Sequence, residues 1–224
     1  MGEIIKLTAV LVTISMIAGL AAAVANNKTK EKIAAQHTLA QQAATAAVFP
    51  QGASIEEHVG GGNLPEKYWS ASTGENIIGY AFKISGQGYA DDIKFMVSSD
   101  LDGKILGMTV LEHNETPGLG SRVTEVASSK YIWYPVGSSE KSKPWFTEQF
   151  EGLSCLKPIG IDRISGEWHK LDSQTRSELR NKNSVTAITG STISTAAVTK
   201  GIEQKAADYV NALKEKYKTD NYKE

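Results

Sequence analysis

Residues 77–111 read IIGYAFKISGQGYADDIKFMVSSDLDGKILGMTVL, and this stretch decides the fold. Three apolar runs alternate with two clusters of turn-forming residues. Residues 77–84 read as a strand and Gly86-Gln87-Gly88-Tyr89 as the turn that ends it. Ile93-Lys94-Phe95-Met96-Val97 alternates with period two, as a half-buried strand should. Asp100-Leu101-Asp102-Gly103-Lys104 is a second turn, and residues 105–111 are again strand-like. The pattern is a meander.

Working outward, the downstream chain adds helix to sheet. Residues 121–171 are mixed, with Trp133, Trp145, Phe146 and Trp168 among turn residues, and the tryptophans read as packing anchors. Residues 184–188 form a short strand candidate. The last element runs from about Thr195 to Tyr217, where Ile202, Ala206, Tyr209, Val210, Leu213 and Tyr217 share one face at three- and four-residue spacing. Upstream, Gly52, Gly60, Gly61, Gly62 and Pro65 mark a flexible or turn-rich entry. The class is α+β.

The first residues are of another kind. Residues 7–25 are nineteen in a row without a charge, just short of the ~30 Å hydrocarbon core at 1.5 Å per residue. Ala23-Val24-Ala25 resembles a signal-cleavage site, whereas the following TKEKIAAQHTLAQQAATAAV continues as helix-favouring sequence up to Pro50. A helix that leaves the membrane uncleaved is the simpler account. It gives a transmembrane anchor at 1–25, a helical stalk at 26–50 and a domain at 51–224. Lys28, Lys30 and Lys32 outnumber Lys6 and the terminal amine, a small bias that places the bulk of the chain in the cytoplasm.

Composition excludes several classes. The chain has 224 residues, and 24 Lys+Arg against 25 Asp+Glu leave a formal charge of −1, which argues against nucleic acid as a main partner. One cysteine, Cys155, cannot form an internal disulfide or hold an iron–sulfur cluster. Four histidines without ligand spacing make a metal site a poor expectation. Nothing resembles a Ser-His-Asp arrangement, and no catalytic residue is assigned.

Two segments can carry chemistry. Thr189-Gly190-Ser191-Thr192-Ile193-Ser194-Thr195 lies between a β-type run and the final helix, where amide groups and the helix dipole favour an anion such as a phosphate. Ser and Thr at such a place also serve as ordinary caps, and both readings are open. His113-Asn114-Glu115-Thr116-Pro117-Gly118-Leu119-Gly120 ends the meander. Pro117-Gly118 favours a tight turn with Gly at positive φ, which lets Leu119 point outward against a flat aromatic ligand. The alternative is a plain turn with Leu119 packed inward.

ETPGLG at 115–120, paired with TGST at 189–192 ahead of a terminal helix, resembles the FMN-binding domain of two related subunits. These are the G subunit of the Rnf ferredoxin:NAD oxidoreductase and the C subunit of the sodium-pumping NADH:quinone reductase. The family's attachment motif is usually S-G-A-T-[ST]; here Thr189 and Ser191 replace its first and third residues. The resemblance implies an antiparallel-sheet FMN-binding domain behind a transmembrane helix, with a C-terminal amphipathic helix. It implies covalent FMN on Thr192 through a phosphoester made by a separate flavin transferase. Glu115, Thr116 and Leu119 are then expected against the isoalloxazine ring, with Gly118, Gly120 and Gly190 allowing close approach. Ser191 and Thr195 are expected to offer hydroxyls to the phosphate. The segment between Cys155 and Asn183, which includes Arg163, Lys170 and Arg176, matches no motif, and a basic residue within it is a candidate to neutralise the phosphate or the reduced flavin.

The function implied is electron relay in a membrane-bound complex whose iron–sulfur and other flavin subunits are the partners. The location implied is the inner (cytoplasmic) membrane, single-pass, with the flavin domain extracytoplasmic, against the lysine bias. The short length leans towards the Rnf protein over its quinone-reducing relative. A stand-alone extracytoplasmic flavoprotein and a flavin-free anchored scaffold are the competing readings.

Overall fold

The computed structural model describes residues 1–126 and 143–220. Trp133 lies outside them, as does the side chain of Tyr217. The chain divides into two units, residues 1–43 and 44–224. The first consists of most of helix α1 (Gly2–Val48), which contains an apolar, exposed stretch long enough to cross a membrane. Its helix-favouring sequence runs without a break almost to Pro50, as its composition predicts.

The second unit is built on a five-stranded antiparallel sheet in sequence order: β1 (Ser54–Val59), β2 (Lys67–Thr73), β3 (Asn76–Gln87), β4 (Asp92–Ser99) and β5 (Ile105–Glu112). The three meander strands fall where the sequence puts them, except that β3 runs on through Gln87 and its turn starts at Gly88. The Gly-rich entry is not simply flexible, because it holds β1 and β2. Trp69 and Ala71 of β2 are buried, while β1, SIEEHV, is a polar edge strand in which no residue is fully buried. Polar side chains along an edge also discourage pairing with other chains.

The alternation in β3 and β4 reaches two cores, one on each face of the sheet. Tyr80, Phe82, Ile84, Ile93, Phe95 and Val97 point to the larger core, with Trp145, Phe146, Phe150 and Trp168. Ala81 and Met96 point to a smaller one containing Ala44, Val48 and Phe49 from the end of α1 and the residue after it. Thr45 Oγ1 donates to Met96 Sδ (3.3 Å). β4 is therefore covered on both faces rather than half-buried. Trp69, Trp145 and Trp168 are all core residues, as expected of packing anchors.

Beyond the sheet lie α2 (Trp145–Glu148), β6 (Gly160–Asp162), α3 (Ser173–Asn181) and β7 (Ser184–Thr186). β6 and β7 form a small parallel pair, so the domain is not wholly antiparallel. The terminal helix begins at Thr192, three residues before the sequence expectation. It comprises α4 (Thr192–Gly201), a π-type turn at Ile202–Ala206 and α5 (Ala207–Asp220). Ile202, Ala206, Val210 and Leu213 are buried from its inner face, and Tyr209 packs against the same core.

Helix α4 meets the sheet closely at Gly86 of β3. A Cβ there would overlap the carbonyl of Ala197, lying 2.7 Å from its carbon. Gly86→Ala is expected to push α4 off the sheet and to cost about 2–3 kcal/mol as overpacking. In a domain of this size that lowers Tm by roughly 5–10 °C, read by thermal melting of the detergent-solubilised chain. An unchanged Tm would mean that the helix is not seated as described.

Candidate functional site

The exit of β7 runs through Ala187, Ile188 and Thr189 to Gly190, whose φ of +78° makes the bend into α4. The Ser191 amide closes it by donating to Ile188 O (2.9 Å). Ser191 occupies the N-cap position, yet its side chain makes no capping hydrogen bond. The hydroxyl-rich segment is thus not a side-chain cap, and the first amides of α4 lack intrahelical acceptors.

The hydroxyls separate into two kinds. Thr195 is fully buried; its Oγ1 accepts from Ile188 N (3.0 Å) and donates to Ser191 O (3.2 Å). It cannot serve as a phosphate donor, because its hydroxyl is spent holding the bend. Ser194 Oγ donates to Glu115 Oε2, and Thr199 Oγ1 donates to Thr195 O (2.7 Å). Thr192, half-buried at the first helical position, makes no hydrogen bond through its hydroxyl among the described residues. It borders a cavity of about 410 Å³.

The opposite wall of that cavity is the loop after β5. Leu119 N and Ser121 N donate to Thr116 O (3.1 and 3.3 Å), and Gly118 takes φ +75°, so the Pro-Gly turn is as expected. Leu119 is 46% exposed and points away from the core. A single 3₁₀ turn, Gly120–Thr124, follows.

Glu115 is 5% exposed, and both of its oxygens are engaged. Oε1 accepts from Tyr89 N (2.8 Å) and Ala90 N (3.0 Å), and Oε2 from Ser194 Oγ. Burial pushes its carboxyl up, but the bonds from Ser194, Ala90 and Tyr89 outweigh burial and hold it below the usual range. Glu115 therefore lines the cavity as a tie between three segments, with its carboxylate turned to protein groups.

Seven sequence-predicted residues meet at the cavity: Glu115, Thr116, Leu119 and Gly120 from the loop, and Gly190, Ser191 and Thr192 from the helix entry. Gly118 and Thr195 do not line it. Gly118 shapes the turn from outside, and Thr195 is turned inward. Tyr89, Ile193 and Ser194 complete the wall and were not assigned from sequence. The Gly-Tyr turn was the available signal for Tyr89, since a tight turn beside a loop displays its side chain.

No Lys, Arg or His is among the described residues that line the cavity. Lys170 Nζ is bound to Glu167 Oε2 (2.8 Å), and Arg176 donates to Trp168 O (3.1 Å) and His169 O (3.3 Å). Arg163 is exposed elsewhere. None of these three lines the cavity. An anion there would rely on the open amides of α4 and on nearby hydroxyls. Tyr89 and Ile193, 73% and 54% exposed, join Leu119 as an apolar rim suited to a flat ring. Cys155 takes no part: it is buried, and burial pushes its thiol up to about 11, far from reactivity at neutral pH.

A helix entry without a side-chain cap, carrying a hydroxyl with no partner among the described residues, faces a Pro-Gly loop across an apolar-rimmed cavity in an α+β domain, an arrangement with the shape and donors for a small molecule that joins a phosphate to a flat ring. The chain belongs to the FMN-binding domain family, whose model matches residues 88–207. Among its relatives is the G subunit of the Na(+)-translocating ferredoxin:NAD(+) oxidoreductase complex of Acetobacterium woodii. It is 29% identical, and the match covers 94% of each chain. The G subunit of the proton-translocating ferredoxin:NAD(+) oxidoreductase complex of Clostridium ljungdahlii is 27% identical over 63% of this chain and 59% of that one. Among solved structures, the C subunit of the Na(+)-translocating NADH-quinone reductase of Parabacteroides distasonis aligns with a TM-score of 0.43 at 20% identity. That alignment covers 65% of this chain and 62% of the other.

Proposed function

We propose that this chain is the G subunit of an ion-translocating ferredoxin:NAD oxidoreductase complex, anchored in the cytoplasmic membrane by residues 1–25 and carrying FMN covalently on Thr192. Family membership supports the cofactor, and the similarity to the G subunits of two such complexes supports the assembly. The observation that carries the attachment is the Thr192 hydroxyl, without a hydrogen-bond partner among the described residues at a helix entry that has no side-chain cap. The stalk at 26–50 and the domain at 51–224 complete the reading, with the domain extracytoplasmic and other iron–sulfur and flavin subunits as partners.

FMN supplies two-electron and one-electron transfer when bound, and this chain supplies place and environment. On this reading a separate flavin transferase would join the Thr192 oxygen to the FMN phosphorus of a dinucleotide-type donor, breaking that donor's phosphoanhydride bond, so that its nucleoside monophosphate half leaves and the hydroxyl proton is released. The first amides of α4 orient the phosphoester oxygens. Leu119, Ile193 and Tyr89 shield the ring from water at the cavity mouth, and the tether keeps it on an otherwise open surface. Gly120 leaves room for the buried carboxylate behind it, since a Cβ there would overlap Glu115 Oε2 and lie 2.6 Å from Ser194 Oγ.

The test is the intact mass and visible spectrum of the full chain co-expressed with a flavin transferase. The expected product is yellow, retains residues 1–25 and is heavier than the polypeptide by one FMN less one water. A colourless product of bare polypeptide mass, in cells where the transferase modifies a known acceptor, would sink the attachment. Loss of residues 1–25 would replace the anchor with a cleaved signal.

A further inference from the structure

We propose that Glu115 is a positioning residue that also sets the charge of the site. It ties the β3–β4 turn and the first turn of α4 around the cavity, and its negative charge makes the attached FMN harder to reduce. The inference rests on the proposed FMN attachment at Thr192.

The geometry carries the first half. One carboxylate collects Tyr89 N, Ala90 N and Ser194 Oγ, from segments 26, 25 and 79 residues away. The surrounding backbone makes room for it: a Cβ on Gly88 would overlap Glu115 Oε1, and one on Gly120 would overlap Oε2. Two glycines from different loops thus leave space for the same side chain. Tyr89 and Ser194, two of its three partners, themselves line the cavity, so the carboxylate fixes the walls without needing to touch the ligand.

The charge carries the second half. Glu115 is the one carboxylate among the described residues that line the cavity, and no cation accompanies it there. Its three partners are neutral, so the charge is hydrogen-bonded but not cancelled. A charge buried at the cavity wall acts through a lower effective dielectric than water and is poorly screened by salt. Two-electron reduction of the ring with uptake of one proton adds one negative charge to it. A fixed carboxylate opposes that step, whereas uptake of two protons adds no net charge and is opposed less.

The experiment is a redox titration of the flavinylated full chain in detergent at pH 8, with dithionite as reductant through mediators. Wild type, Glu115→Gln and Ser194→Ala are compared, with Tm measured for each. In Glu115→Gln, Oε1 remains as an acceptor for the two amides while the charge is removed. The expected result is a shift of at least tenfold in the oxidised-to-reduced ratio towards reduction, about 30 mV for a two-electron couple. Ser194→Ala keeps the charge and drops one hydrogen bond, so Tm falls but the potential does not rise. Wild-type protein is expected below the potential of free FMN in the same buffer, a reading that stands even where a variant fails to fold.

An unchanged potential in flavinylated Glu115→Gln overturns the charge role and leaves the attachment standing. Equal upward shifts in both variants overturn it too, because loosening alone would then explain them. A wild-type potential at or above that of free FMN does the same. Unaltered Tm in both variants overturns the tie. Absence of covalent FMN from wild type overturns the attachment reading, and this inference with it.

Discussion

Thr192→Ala, co-expressed with a flavin transferase, is expected to emerge at bare polypeptide mass and without flavin colour, a loss of attachment by at least a hundredfold. Five hydroxyls lie within seven residues, so the outcome depends on their separate environments. Thr195 and Ser194 are buried and hydrogen-bonded, to the bend and to Glu115 respectively. Ser191 is 7% exposed. Thr189 is exposed but does not line the cavity, whereas Thr192 does and stands at the first position of α4. Thr192→Ser retains an oxygen at the same place and is expected to accept flavin, with less restriction of the side-chain rotamer. Peptide mapping of the wild-type protein checks the position. Full modification of Thr192→Ala, or flavin found on Thr189, would reject the assignment.

The meander was legible because its three strands combine apolar runs with Asp-Gly and Gly-Tyr turns that break them sharply. β1 and β2 were not, for opposite reasons. SIEEHV is a polar edge strand with no inner residue fully buried, and KYWSAST stands behind a glycine-rich segment that read as flexible. The site was legible as two motifs but not as a geometry. Thr195, expected at the phosphate, lies buried off the cavity with its hydroxyl bonded to Ile188 N and Ser191 O, and the helix starts three residues earlier than its apolar spacing indicates. The start of a helix determines which hydroxyl meets open amides and which turns back to hold the bend. Glu115 was singled out, yet its role depends on amides 25 and 26 residues away. No local pattern encodes such contacts. The same holds for the ion pair behind the loop, whose partners are 45 residues apart.

That ion pair yields the largest stability effect expected of a single charge. Glu167 is 3% exposed and accepts from Arg122 at both oxygens, Nη2 to Oε2 at 3.0 Å, and from Lys170 Nζ at 2.8 Å. Arg122 also reaches Glu125 through Nε (2.8 Å), and Glu125 accepts from Trp145 Nε1 (2.9 Å). Hydrogen bonding from Arg122, against the opposing effect of burial, holds the Glu167 carboxyl down at about 2. A carboxyl depressed in the folded state stabilises it above the ordinary value near 4.5 and loses that contribution as pH falls from there towards 2. The shift corresponds to roughly 3 kcal/mol at neutral pH. Arg122→Ala leaves the buried carboxylate with Lys170 as its remaining ion-pair partner and is expected to cost about 2–4 kcal/mol at pH 7, less than a fully stranded charge, lowering Tm by roughly 4–16 °C. Its penalty should shrink at pH 3, where Glu167 in the variant takes up a proton that wild type resists. Melting of both proteins across pH 3–7 measures this, and a penalty independent of pH would show that Arg122 acts by packing alone. Arg122 sits in the 3₁₀ turn that directly follows Leu119. The same substitution therefore frees one wall of the cavity, and flavin attachment should slow along with the loss of stability.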